Sequence, residues 1–220
     1  MATLKDSLTV LYYTSNHEEP DFEQKIIENL KEACGDLPII SVSQKPINLG
    51  KNICVGPVGL SYLNEWRQMF MGAREVQTPY IVFAESDHLY PKEYFRFVPP
   101  GEGSYHYDNV WTVFKDITRA GAYRRKPFSD GAQICDKKSL MERLDRFLAD
   151  KPQWGLGEYD EQSLDVHFDF FSGTTSCITF KTGDGVSNSA NVINTPGENN
   201  RKNSLPHWGH VNSLRAKYFG

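Results

Sequence analysis

Two carboxylates and an imidazole stand together at Glu85, Asp87 and His88, interrupted only by Ser86. Glu85 and Asp87 are two residues apart, so in an extended turn both can face one hard cation. Carboxylate oxygens suit Mg²⁺ or Mn²⁺, ions that bind through one or two carboxylates together with substrate phosphates. A solvated strand end has the same look, and the pattern alone does not separate the two readings. The residues in front of it bear on the choice. Tyr80, Ile81, Val82, Phe83 and Ala84 form an unbroken apolar run behind Thr78 and Pro79. That is the pattern of a strand covered on both faces in a parallel α/β sheet. Such sheets bind ligands at the carboxyl ends of their strands, where this acidic pair is expected to lie.

The elements that must position it follow in order. Leu8 to Tyr13 reads as a first strand, tipped by Thr14, Ser15, Asn16 and His17. Glu18 to Asp21, with Pro20 among acids, is a helix start. Phe22, Ile26, Ile27, Leu30 and Ala33 then recur at helical spacing as far as Gly35. Leu37 to Ser43 is a second strand, which completes the strand–helix–strand opening of a nucleotide-binding α/β half. Residues 44–59 are punctuated by Gly and Pro and lack P-loop or dinucleotide spacing. Ser61 predicts the cap of a second helix with Tyr62, Trp66, Met69, Phe70 and Ala73 on one face. After the acidic cluster, Tyr105 to Phe114 is expected to be one strand, residues 119–126 an exposed basic loop, and Gly131 to Cys135 a short strand. A helix with Leu140, Leu144, Phe147 and Leu148 inward comes next, then a strand at 174–181 and a long loop from Gly183 to Asn203.

Composition bounds the class. The chain has 220 residues, a net charge of −4, 11 Tyr and 13 Phe, which fits one medium domain with a real core. An acidic balance argues against a general nucleic-acid coat. A local basic excess does occur between Lys115 and Arg146, suited either to a diphosphate or to a solvated face. Cys34, Cys54, Cys135 and Cys177 form no C-x-x-C pair and read as free thiols of a reducing compartment. No signal peptide or membrane-length apolar stretch is visible, so the expectation is a cytoplasmic protein.

Four features in this order resemble the GT-A glycosyltransferases, the nucleotide-sugar-dependent family built on one Rossmann-like sheet with a D-x-D metal motif. They are the first strand with its polar tip (Tyr12 to Asn16), the buried strand ending in Glu85 and Asp87, the run Trp154, Gly155, Gly157, Glu158, Asp160 and Glu161, and the late His207 and His210. The third is similar to the acceptor and base segment of inverting galactosyltransferase-type enzymes, and the last to their C-terminal metal ligand. Glu85 to Pro91, followed by Asn109-Val110-Trp111, also resembles a small branch found in phages and bacteria. The chain departs from the pattern at Glu85, which replaces the first Asp, and at Tyr159, where galactosyltransferases carry an acid.

The resemblance implies a mixed, mostly parallel α/β sheet flanked by helices and a single domain over 1–220. Residues of about 1–100 would bind the nucleotide sugar and about 101–220 the acceptor. It implies a metal-dependent, inverting transfer from a nucleoside diphosphate sugar, UDP-linked, to a hydroxyl. Mn²⁺ or Mg²⁺ would be held by Asp87 and Glu85, with His210 or His207 completing the shell and His88 packing behind. Tyr12, Thr14 and Asn16 would hold the nucleoside. Asp160 is the expected base, with Glu158 and Glu161 as alternatives, and Trp111 and Trp154 are candidates for stacking on the acceptor. The acceptor is a glycan, a protein or a hydroxymethylated DNA base, the last suggested by Arg124, Arg125 and Lys126. A non-catalytic carbohydrate- or nucleotide-binding module is the alternative. A sugar nucleotidylyltransferase fits less well, because the loop after the first strand is acidic where a Gly-rich basic loop is expected.

Overall fold

In the computed structural model, which describes residues 3–116, 121–156, 168–185 and 200–220, strand β1 (Leu8–Thr14) is buried along its whole length. A strand apolar on both faces belongs at the middle of a covered sheet. β1 pairs in parallel with β2 (Ile39–Ser43) on one side and with β4 (Tyr80–Glu85) on the other. A short strand β3 (Lys51–Cys54) adds in parallel beyond β2, within the stretch expected to be a loop. Beyond β4 lie antiparallel β9 (Gln133–Asp136), then β6 (Ser104–Tyr107) and β10 (Phe168–Phe171). The seven-stranded order is β10-β6-β9-β4-β1-β2-β3, with β9 alone running against the rest. The expected mixed, mostly parallel Rossmann-like sheet is therefore present.

Register sets where the chemistry falls. Tyr13 lies opposite Glu85 and Thr14 opposite Ser43, so the polar tips of β1, β2 and β4 meet at one edge of the sheet. Helix α1 (Pro20–Cys34) returns from that edge, with Pro20 in its first turn and Gly35 at positive φ after its end. Helix α2 (Tyr62–Glu75) begins at Ser61, whose hydroxyl accepts from the Asn64 amide. Its buried face is rotated from the predicted one: Leu63, Asn64, Gln68, Met69, Gly72 and Ala73 point inward, while Trp66 and Phe70 are half-buried. Gly72 lies on that inward face and packs closely on β1, where any Cβ would overlap Leu11. Helix α3 (Lys137–Leu148) is capped by Asp136, which accepts from the Ser139 amide. It packs with α2 on one face of the sheet, and α1 covers the other.

A second sheet was not foreseen. The predicted strand over Tyr105–Phe114 breaks in two, and its second half, β7 (Val110–Phe114), joins β5 (His88–Leu89), β8 (Tyr123–Lys126), β11 (Cys177–Lys181) and β12 (Arg201–Lys202). The order is β12-β8-β7-β11-β5. Asn109 makes the break: its Oδ1 accepts from Trp111 Nε1 (3.1 Å), Arg125 Nη1 (3.1 Å) and Ser176 Oγ (3.0 Å), and its Nδ2 donates to the Gly173 carbonyl. One side chain thus ties three segments where the chain changes sheet. The expected basic loop is in part β8, with Tyr123 fully buried. A small hairpin of β13 (Ser204–Leu205) and β14 (Gly209–His210) leads into helix α4 (Val211–Phe219). Phe22 and Ile26 of α1 pack against the second sheet and α4, so α1 is shared by two cores. The four cysteines are free thiols, with Cys54 exposed. Among the described residues no helix is long and apolar enough to cross a membrane.

Candidate active site

Glu85 is the last residue of β4, and the turn at Ser86–Asp87 delivers His88 into β5. Pairing of β5 with β11 fixes that turn, since the Phe180 amide donates to the Asp87 carbonyl at 2.7 Å. Three side chains converge as a result. His88 Nδ1 lies 2.5 Å from Asp87 Oδ1 and 3.2 Å from Glu85 Oε2, and its Nε2 lies 3.0 Å from Ser129 Oγ. Tyr13 donates its hydroxyl to Glu85 Oε1 at 2.5 Å. Behind Glu85, Tyr90 accepts from the Glu85 amide and donates to the Gly131 carbonyl. Gly131 packs directly on the Glu85 carboxylate, and a Cβ there would overlap it.

The electrostatics of the two acids diverge. Burial pushes the Glu85 carboxyl above the usual carboxylate range, opposed by the nearby His88 and reinforced by Asp87. Asp87 is half-buried and feels the same desolvation, but the charge and hydrogen bond of His88 outweigh that and hold it below the usual range. Neighbouring carboxylates whose environments push them apart are a frequent mark of a functional site.

These residues line an open cleft together with Thr14, Ser15 and Glu18 from the β1 tip, Gln44, and the Gly59–Glu65 stretch. Gln44 and Gly59 hold each other through a paired side-chain–backbone contact, Nε2 to carbonyl at 2.8 Å and amide to Oε1 at 3.0 Å. The same cleft holds two cations, Lys126 from the end of β8 and Lys181 from the end of β11. Lys126 donates to Ser129 Oγ at 2.9 Å. Burial and the adjacent Lys181 lower its pKa, while Glu85, Asp130 and Asp87 act the other way. Among the described residues, Glu85, Asp87 and His88 each present a ligand atom within 4.8 Å of the others.

The residues expected from sequence scatter more widely. Thr14 lines the cleft, but Tyr12 and Asn16, expected beside it, do not. Tyr12 is fully buried on the opposite face and donates to Glu23 Oε1 at 3.0 Å; Tyr13 is the tyrosine that meets the cleft. Asn16 adopts φ 53°, accepts from the Gln44 and Lys45 amides, and donates to Glu23. That closes the strand tip and uses the amide fully. His210 caps α4, its Nδ1 accepting from the Asn212 amide at 3.2 Å, and His207 stands edge-on to Trp208 in a separate groove with Asn29 and Lys92. Neither joins the acidic cluster; His88, read as a packing residue, does. Trp111 is buried in the second core and hydrogen-bonded to Asn109, which removes it from acceptor stacking. Glu158, Asp160 and Glu161 lie outside the described residues. The chain just before them is held at the cleft rim: Ser61 Oγ donates to the Gly155 carbonyl (2.6 Å), and the Gly155 amide donates to Asn64 Oδ1 (2.9 Å).

Sequence reading missed Glu18, Lys126 and Lys181 as cleft residues. Lys126 was visible only as part of a basic run, and Glu18 only as a helix-start acid. Nothing local in the sequence marked Lys181.

No protein-family model and no curated protein matches the chain. Among solved structures it is similar to the inositol-1-phosphate CTP transferase from T. maritima, with a TM-score of 0.52 and 10% identity over 86% of this chain and 94% of that one. It is also similar to a glycosyltransferase involved in the glycosylation of the major capsid of PBCV-1 (TM-score 0.46, 10% identity, 79% and 93% covered). A third is the bifunctional IspDF from Campylobacter jejuni (TM-score 0.47, 9% identity), of which the match covers 76% of this chain and half of that chain's length. At such identities a likeness speaks only to the fold.

Proposed function

We propose that the chain is a transferase acting on a nucleotide-linked donor, and specifically a glycosyltransferase moving a sugar from a nucleoside diphosphate to a hydroxyl. The observation that carries the reading is the cluster of Glu85, Asp87 and His88 in one cleft with Lys126 and Lys181 at the carboxyl edge of the sheet, His88 and Lys126 meeting on the same Ser129 hydroxyl. Carboxylates with two lysines in one cleft suit a diphosphate better than a neutral ligand, because the phosphates need cations and the acids need a counter-charge.

Two carboxylates and an imidazole in such proximity fit a divalent ion, and imidazole favours Mn²⁺ over Mg²⁺. Glu85, Asp87 and His88 would hold it, and a bound ion supplies positive charge beside the departing diphosphate. Lys126 and Lys181 contribute fixed charge to the same oxygens. Tyr13 and Gly131 keep Glu85 in position. In the transfer itself the acceptor oxygen bonds to the anomeric carbon, the carbon–oxygen bond to the diphosphate breaks with its electron pair on the phosphate, and the acceptor proton passes to a carboxylate. Asp160 is proposed for that last role, with Glu158 and Glu161 beside it. The anchoring of Gly155 by Ser61 and Asn64 favours this segment, since its entry point is fixed at the rim.

The test is donor hydrolysis over UDP-, GDP- and CDP-linked sugars, with Mn²⁺, Mg²⁺ or chelator, beside Asp87→Ala. Metal-stimulated release of one nucleoside diphosphate, reduced by at least about 10²-fold in the variant, is the expected result. Sugar nucleotides bound without turnover would instead support a binding module. Release of pyrophosphate from a nucleoside triphosphate and a sugar phosphate would make the protein a nucleotidylyltransferase.

A further inference from the structure

Glu18 stands apart from the machinery just described. It sits between the β1 tip and the start of α1, is only 9% exposed, and lines the cleft. Its Oε1 accepts from Thr182 Oγ1 at 2.9 Å. Its Oε2 is buried and has no hydrogen-bond partner among the described residues. A structural carboxylate at this depth normally has both oxygens satisfied, because an unmade hydrogen bond to a buried charged oxygen is among the more expensive defects a fold can carry. Glu23 illustrates the ordinary case: it is 7% exposed, its Oε1 accepts from the Tyr12 hydroxyl and its Oε2 from the Asn16 amide. The nearby charges are Asp87 and Asp184, which oppose ionisation of Glu18, and Lys115, which favours it. None supplies the missing hydrogen bond. Glu18 thus lines the cleft with one oxygen held by a threonine and the other buried in the cleft wall without a partner, an arrangement suited to a donor that arrives with the ligand.

We propose that Glu18 is a specificity-determining residue of the cleft, its Oε2 accepting a hydrogen bond from a hydroxyl of the bound donor, on its ribose or its sugar. The assignment rests on the sugar-nucleotide reading above and goes beyond it in naming the group recognised. A hydroxyl fits better than an ammonium. The cleft already holds Lys126 and Lys181 as cations, and a carboxyl beside Asp87 does best with a partner that can also accept its proton.

The experiment compares wild type with Glu18→Leu and Glu18→Gln, reading Tm without ligand and Kd by calorimetry for UDP, UDP-glucose and the nucleotide and sugar nucleotide that the hydrolysis panel selects. Glu18→Leu removes the orphaned oxygen, so the unliganded Tm is expected to stay level or rise while Kd weakens about 10- to 100-fold. Glu18→Gln keeps some hydrogen bonding and should show a smaller loss. A loss seen with UDP alone assigns the ribose hydroxyls; a loss confined to the sugar nucleotide assigns the transferred sugar. Unchanged Kd in both variants, or a lower Tm with binding intact, would make Glu18 a brace for Thr182 and overturn the proposal. If wild type binds none of the probes, the sugar-nucleotide reading falls and takes this ligand class with it. Intact wild-type binding that ignores both substitutions removes the role of Glu18 alone.

Discussion

Glu18 illustrates how a single side chain can couple ligand recognition to stability. Burial, with Asp87 and Asp184 adding to it, pushes its carboxyl up to about 7 from an ordinary value near 4.5, and the Thr182 hydrogen bond opposes the rise. A raised carboxyl makes the sign definite. Below pH 4.5 the group is protonated in both folded and unfolded chains and imposes no penalty. As pH climbs from there through 7, the unfolded chain ionises freely while the fold resists, so stability is lost. Glu18→Gln should therefore flatten the pH dependence of Tm between 5 and 8, with the gain over wild type largest at pH 8. The ceiling on that gain is on the order of 3–4 kcal/mol, from the rise from 4.5 to about 7 at about 1.4 kcal/mol per pH unit. Denaturant melts at pH 5 and pH 8 would measure it; an equal change at both values would show that the carboxyl is not raised in the fold. The neighbouring residues differ in how far their roles are legible in the sequence. Glu85 and Asp87 were legible because a buried apolar run ended in them. His88 reads from sequence as a residue packing or supporting behind the acids, since only the pairing of β5 with β11 turns its ring back onto both of them.

At the scale of elements, α2 acts as a bracket. Its first turn presents Ser61 and Asn64 to Gly155, and one turn further Arg67 donates to the carbonyls of Leu148, Lys151 and Pro152. The end of α3 and the entry to the segment holding Glu158 and Asp160 are thus fixed to the helix that also forms the cleft wall. Removing those donors by Arg67→Ala should cost about 1–2 kcal/mol. It should also lower transfer to an acceptor by tenfold or more while leaving donor Kd within twofold. Parallel assays of transfer and donor binding would check this, and equal loss of both would place the effect on the whole cleft. The helix ends themselves were readable in advance: Ser61 as a cap, Pro20 in a first turn and Gly35 past a last one are signals carried by a few adjacent residues. The division of residues 105–114 between two sheets was not readable, because its cause is Asn109 bonding to Arg125, Ser176 and Gly173, all distant in sequence.

At the scale of the molecule, the distribution of charge narrows the choice of acceptor. The run Arg124, Arg125 and Lys126 would suit DNA if it faced outward together. In the fold Arg124 lies over Phe114, Arg125 donates to the Asp108 carbonyl and to Asn109 while lying over Trp111, and Lys126 enters the cleft. With a net charge of −4 and this basic run drawn inward, duplex DNA is expected to bind at 150 mM salt no more tightly than about 10⁻⁴ M, the weak end of non-specific binding. Fluorescence anisotropy on plain and hydroxymethylated duplexes would test this. Micromolar binding with a steep salt dependence would restore a DNA acceptor, whereas its absence directs the search to glycans and proteins.

The sequence by itself determined β1, α1, β2, α2 and β4 in the sheet's first half, though not the short β3 between them, and the placing of an acidic cluster at the end of a buried strand. Apolar runs, helical periodicity and cap residues are short-range signals, complete within a few turns of chain. Tertiary structure alone decided which side chains meet. Tyr12 and Tyr13 are the clearest instance: alternation along β1 sends them to opposite faces, but both faces are buried, so no polar–apolar contrast marks the one that opens on the cleft. The same holds for Glu18, Lys126 and Lys181, which come from the ends of three segments far apart in sequence. Strand register and sheet pairing bring them together, and those are long-range properties that no window of sequence contains.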